Sequence, residues 1–210
     1  MSARGMVIAV LGAESTGKTT LCSALGAAFA AEGRDVVVVG EYLREFCDRH
    51  ARTPRIDEQA AIGAEQTRRI EAAAARHAWV VADTTALMIA VYSHQVFGDR
   101  TLYADAERTQ RRSDATLLTA LDLPWHADGF IREGAHVREP VDAKVRDALA
   151  RSGVGYSVIG GRGAQRLASA RDAIARALAP KPAGDAAARW HWICERCGEA
   201  DCERHLLPPP

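Results

Sequence analysis

The chain has 210 residues, of which 48% are hydrophobic and 26% charged, which suits one α/β domain with a full core plus a short appendage and excludes wholesale disorder, a coiled coil or a fibrous repeat. Lys plus Arg and Asp plus Glu both total 27, so no net charge recommends nucleic acid or an anionic membrane as partner, and any phosphate chemistry must draw on local positive charge. The apolar stretch Met6–Leu11 is too short to span a bilayer or to act as a secretory signal, and no longer one follows, so a cytoplasmic location is expected.

In chain order, Met6–Leu11, Asp35–Val39 and Trp79–Ala82 are Val- and Ile-rich runs of the kind that form strands buried on both faces. Helical stretches separate them: Thr19–Glu32, and Asp57–His77 with Ile62, Thr67, Ile70 and Ala74 on one face. A helix over Leu87–Gly98, a fourth strand over Ala115–Leu121, a helix over Pro140–Ser152, a fifth strand over Tyr156–Ile159 and a closing helix over Gly163–Leu178 complete the alternation. Right-handed crossovers make this an αβα sandwich around a mainly parallel sheet. Residues 1–179 are therefore assigned to one α/β domain, 180–189 to a Pro- and Ala-rich linker, and 190–210 to a Cys/His-rich tail.

Gly12-Ala13-Glu14-Ser15-Thr16-Gly17-Lys18-Thr19 fits G-x-x-x-x-G-K-[ST] between a strand and a helix, the context in which such a loop cradles phosphates. Its glycines let successive N–H groups turn inward, and the helix that follows presents its positive end. Lys18 then reaches the outer phosphates and the Thr19 hydroxyl ligates Mg²⁺, with Thr20 a weaker neighbour. These features make the fold class a P-loop NTPase-type sandwich. Asp83, closing the third strand, stands where a Walker B carboxylate holds the metal, although Asp also caps helices well. Glu41 follows the second strand and faces the same crevice, where a carboxylate holds or deprotonates an acceptor hydroxyl; the residues leave open whether Glu41 or Asp83 is the base. Residues 123–138 read as a lid, with Gly129 as a hinge and Arg132 and Arg138 brought over the phosphates. Gly160-Gly161-Arg162, after the last strand, suits either a left-handed turn or a close approach to a nucleotide base.

The loop, Glu41-Tyr42-x-Arg44-Glu45, Gln66, Asp83-Thr84 and Pro124-Trp125-x-Ala127-Asp128-Gly129-x-x-Arg132 together resemble the ribosylnicotinamide kinase domain of NadR and its AAA-like ATPase relatives. The resemblance covers about residues 5 to 178. It implies an ATP- and Mg²⁺-dependent kinase that phosphorylates the 5′-hydroxyl of nicotinamide riboside, with Gly12 to Thr19 binding ATP, Glu41 and Asp83 facing riboside and metal, and Arg132 and Arg138 in the lid. It implies the kinase step only, not repression or adenylylation. Tyr42, Tyr92, Phe97, Tyr103 and Trp125 are open alternatives as stacking partners for the nicotinamide. The alternative reading is a nucleotide-operated ATPase switch with a partner-binding tail.

Of five cysteines, Cys194, Cys197 and Cys202 crowd the tail in Cys194-x₂-Cys197-x₄-Cys202-x₂-His205. Three thiolates and an imidazole make a tetrahedral, closed donor set for structural zinc, with His191 competing with His205 as the fourth ligand. Such a short segment would draw its folding energy from the metal. Its acids nearly balance its arginines, which argues against a nucleic-acid surface.

Overall fold

The structure is a computed structural model and describes residues 4–125 and 135–179. The chain divides into a compact unit, Met1–Leu178, and a second unit, Ala179–Pro210. The linker and the Cys/His-rich tail fall in the second and lie outside the described residues. Within the first, five strands form one all-parallel sheet: β1 (Met6–Leu11), β2 (Val36–Val39), β3 (Trp79–Asp83), β4 (Ala115–Thr119) and β5 (Ser157–Ile159), in spatial order β2-β3-β1-β4-β5. Among the described residues seven α-helices accompany them: α1 (Lys18–Ala31), α2 (Tyr42–His50), α3 (Gln59–Ala74), α4 (Ala86–Phe97), α5 (Tyr103–Gln110), α6 (Arg138–Ser152) and α7 (Gly163–Leu178).

The pleat of the sheet sorts its side chains into two cores. Ile8, Val10, Val81, Leu117 and Ile159 meet Leu21, Leu25 and Phe29 of α1 and Ala170, Ala173 and Ile174 of α7 on one face. On the other face Val7, Val80 and Ala82 pack on Ile70, Ala73 and Ala74 of α3, while Leu11 and Leu118 meet Leu87 and Met88 of α4 and Val141, Val145 and Leu149 of α6. Each of these large aliphatic side chains contributes about 1.5–3 kcal/mol by leaving water, so the two interfaces are the main source of stability. Helix α2 packs Leu43, Phe46 and Cys47 against Ile62 and Ile89. No helix among the described residues is long and apolar enough to cross a membrane.

The helix expected over Asp57–His77 is shorter at both ends. At its start Glu58 turns back, taking the Arg55 amide at 2.7 Å and the Arg52 guanidinium at 2.6 and 2.7 Å, and Ile56–Glu58 forms a 3₁₀ turn instead of joining α3. That Arg52 bond, with the Arg55 amide, holds the Glu58 carboxyl down at about 2. At its end the Ala74 carbonyl accepts the Gly5 amide at 2.7 Å, and the following residues bend toward β3. Helix α6 starts at Arg138, two residues before the expected Pro140, because proline in a first turn forfeits no intrahelical bond. Helices α2 and α5 stand where the sequence reading assigned no helix.

A buried polar chain ties α4 and α5 to the sheet. Thr85 caps α4 by accepting the Leu87 amide at 3.2 Å and donates its hydroxyl to Gln110 Oε1 at 2.7 Å; Gln110 Nε2 donates to Thr116 Oγ1 at 3.0 Å. Gln110 is 1% exposed, so truncation would orphan two hydroxyls and open a void. Gln110→Ala is expected to lower unfolding free energy by about 2–4 kcal/mol in chemical denaturation, by those two costs together.

Candidate functional site

Strand β1 delivers the chain into a turn whose backbone only particular residues tolerate. Gly12 has φ of 150° and Gly17, immediately before α1, has φ of 75°; Ser15 between them is also left-handed at 52°. A Cβ on Gly12 would lie 2.0 Å from Thr119 Oγ1 of β4, so the glycine is required by contact as well as by torsion. Side chains of the turn and of β4 hold its carbonyls. The Thr119 hydroxyl lies 3.1 Å from the Leu11 carbonyl and 2.6 Å from Thr16 Oγ1, Thr16 donates to the Ala13 carbonyl at 2.7 Å, and Lys18 Nζ donates to the same carbonyl at 2.9 Å. Carbonyls anchored this way leave the turn's amides for an anion, and the amino end of α1 adds its dipole. Ala13 turns its side chain into the α4–α6 core and contributes only backbone, while Thr19 and Thr20 lie exposed on the first turn of α1.

The neighbouring strand ends supply carboxylates. Asp83 closes β3 in register with Val10 of β1, is 3% exposed, and its Oδ1 has no hydrogen-bond partner among the described residues. A buried, unpartnered carboxylate oxygen on the strand beside the one that enters the turn is the kind of hard oxygen donor that suits Mg²⁺. Thr84 follows with φ of 81°, rare for a β-branched residue and costing about 1–3 kcal/mol. Its hydroxyl is also buried without a partner among the described residues. Glu41 is the residue before α2, with its side chain 16% exposed and 3.9 Å from Arg44 Nε.

Gln66 of α3 fixes these two strand ends relative to each other. It is fully buried, accepts the Tyr42 amide at 2.8 Å, and donates to the carbonyls of Gly40 at 3.2 Å and Thr84 at 3.4 Å. One side chain thus brackets Glu41 and joins it to Asp83-Thr84. The Cys22 thiol, one turn into α1, reports the resulting field: burial pushes it well up, the Asp83 charge adds to that, Lys18 opposes it, and Glu41 raises it further. Lys18, Asp83 and Glu41 thus all act on the Cys22 thiol.

Beyond β4 and β5 the structure assembles a group the sequence reading had not singled out. Arg166 of α7 donates to the Thr16 carbonyl at 2.6 Å, the Gly161 carbonyl at 3.0 Å and Asp122 Oδ1 at 3.3 Å, and Asp122 Oδ2 accepts the Gly161 amide at 2.5 Å. Burial opposes ionisation of Asp122, but the Gly161 amide and Arg166 outweigh it and hold its carboxyl below the ordinary range. The Gly160-Gly161 turn, read as left-handed or as a base contact, has Gly161 at φ of 85°. Arg138, expected over the phosphates, sits 8% exposed at the start of α6 with Nε and Nη2 unpartnered among the described residues. Arg132 and most of the expected lid, and the zinc set Cys194, Cys197, Cys202 and His205 or His191, lie outside the described residues. Among those that are described no His, Cys, Asp and Glu cluster suits a metal.

A glycine-rich anion turn between the central strand and the first helix of a parallel sheet, with an acid closing the adjacent strand, defines a nucleotide-binding P-loop domain. Residues 7–166 match the model of a family described as an AAA domain, and the chain belongs to that family. Two solved NadR structures share the fold. One is described as NadR protein in complex with NR, with a TM-score of 0.66 and 20% identity over 84% of this chain. The other, described as in complex with NAD and AMP-PNP, has a TM-score of 0.63 and 21% identity over 87% of this chain. The chain spans about half the length of these relatives, 52% of each. No curated protein matches at the sequence level.

Gly12→Ala is expected to leave the circular dichroism spectrum unchanged while weakening Mg-ATP binding by about 10-fold or more in calorimetric titration, since a methyl 2.0 Å from Thr119 Oγ1 must displace the turn.

Proposed function

We propose that the protein is an ATP- and Mg²⁺-dependent kinase acting on a small nucleoside, with the 5′-hydroxyl of nicotinamide riboside as the acceptor that its motifs and its NadR-like fold favour. The observation that carries this reading is Gln66: by gripping Gly40, Tyr42 and Thr84 it ties a second carboxylate, Glu41, to the strand end that carries Asp83. Nucleotide binding alone needs no such group. Transfer to a hydroxyl does, because the acceptor must be oriented and must lose a proton.

In this reading the amides of residues 13–19 cradle the phosphates and Lys18 neutralises their outer charge, exchanging its bond to the Ala13 carbonyl for phosphate oxygens. Thr19 and Asp83 would hold Mg²⁺, which would supply positive charge against the phosphates. With Asp83 assigned to the metal, Glu41 accepts the hydroxyl proton as the acceptor oxygen bonds to the γ phosphorus and the bond to the ADP oxygen breaks. Arg138, buried with donors to spare, is suited to meet phosphate charge, and Arg132 belongs to the same proposed lid.

The test is a nucleoside panel with Mg-ATP, following ADP and phosphorylated product. Nicotinamide-riboside-dependent ADP release is expected. Hydrolysis indifferent to every nucleoside would favour a nucleotide-operated switch instead. Lys18→Ala is expected to abolish transfer, and Glu41→Ala to lower turnover about 100-fold or more while Mg-ATP still binds, the size expected for loss of a general base; full turnover in Glu41→Ala would refute its role. The tail is proposed to hold about one zinc per chain by its ligand count. Elemental analysis is expected to find that metal in the full chain and to lose it in Cys194→Ser.

A further inference from the structure

A buried guanidinium with one long ion pair is a poor stabilising device. Arg166 is 5% exposed, its single carboxylate partner Asp122 stands 3.3 Å away and has a side chain 37% exposed, and its Nε has no partner among the described residues. A buried ion pair as a whole is often no more stabilising than well-packed apolar groups in its place, so fold energy alone does not account for an arginine here. The shortest bond Arg166 makes is instead to the phosphate-binding turn: Nη2 donates to the Thr16 carbonyl at 2.6 Å, across 150 positions of sequence.

That bond has a directional consequence. In a trans peptide the C=O and the following N–H point to opposite sides, so anchoring the Thr16 carbonyl on α7 aims the Gly17 amide away from α7. No peptide of the described chain is cis. Gly17, at φ of 75°, is also the residue with the least steric resistance to a flip of this peptide. Something must therefore hold the plane. Thr16 Oγ1 is committed to Ala13 and Thr119 and does not restrain its own carbonyl. The charged donor also polarises the peptide it grips, strengthening the Gly17 N–H as a donor.

We propose that Arg166 is a positioning residue of the phosphate-binding turn: by clamping the Thr16 carbonyl it presets the Gly17 amide for phosphate, and through Gly161 and Asp122 it fastens the turn to the ends of β4 and β5. This rests on the reading that the turn binds a nucleotide. The effect runs through the peptide, not through contact of Arg166 with the phosphates.

Arg166→Met and Arg166→Lys test it with two readouts. The Gly17 amide in ¹H–¹⁵N spectra, recorded without nucleotide, is expected to move and to exchange faster with solvent in Arg166→Met. Mg-ATP affinity, by calorimetric titration of folded protein, is expected to fall about 10- to 100-fold in Arg166→Met, the size of a lost charge-assisted hydrogen bond. Arg166→Lys, with one donor group that can still reach Thr16, should recover part of both. A merely structural role would lower the melting temperature while leaving the Gly17 amide and the affinity of the folded fraction within twofold of wild type, and that result in Arg166→Met overturns the proposal. If Arg166→Met does not fold, Arg166→Gln, whose shorter neutral side chain removes the charged donor, decides it on the same two readouts. Wild-type protein that takes up no Mg-ATP would refute the nucleotide reading, whereas the Gly17 amide judges the clamp regardless.

Discussion

The molecule depends on where the carbonyl groups of one turn go. Between β1 and α1 the chain must expose amides to an anion, and it can do so only if the carbonyls on the same peptides are occupied elsewhere. Leu11 is served by Thr119, Ala13 by Thr16 and Lys18, and Thr16 by Arg166. These donors come from β4, from the turn itself and from α7, so the ligand-ready conformation is a product of tertiary structure. A glycine-rich peptide of the same sequence would have no reason to hold it.

The sheet order explains why the other groups arrive there. With β1 central and β3 and β4 beside it, the turn is flanked by Asp83 on one side and Thr119 with Asp122 on the other. Glu41, beyond the end of β2 and so one strand further out, could drift relative to Asp83, and Gln66 removes that freedom by bonding to both strand ends. Side-chain amides suit this task because a single Gln both donates and accepts without adding charge to a site already holding two acids.

Groups whose signal is local were readable from the residue string. Three Val- and Ile-rich runs marked β1, β2 and β3, two further apolar runs marked β4 and β5, and the motif from Gly12 to Thr19 declared itself by spacing. Helix α2 escaped because its buried face is only Leu43, Phe46 and Cys47, within a segment otherwise charged, and α5 buries just Ala106 and Gln110. Arg166 and Asp122 were illegible for a different reason. A polar residue destined for burial looks like any surface residue until its partner is known, and apart from the Gly161 carbonyl beside Arg166 these partners lie 39 to 150 positions away. An arginine one turn into the helix that follows two glycines was the only hint. Gln66 could be noticed by resemblance, but its work of joining two strand ends needed the packed helix to be seen.

The contact between Gly12 and Thr119 bears on how such a chain can diverge. The Thr119 hydroxyl stands so close to Gly12 that any side chain at position 12 must be answered by a smaller or displaced one at 119, and the torsion at Gly12 adds a second veto. Position 12 cannot change alone. In a fold that persists at about one-fifth identity to its structural neighbours, most sites drift independently, but this one can move only with its partner, and mutational paths through the turn narrow to double steps.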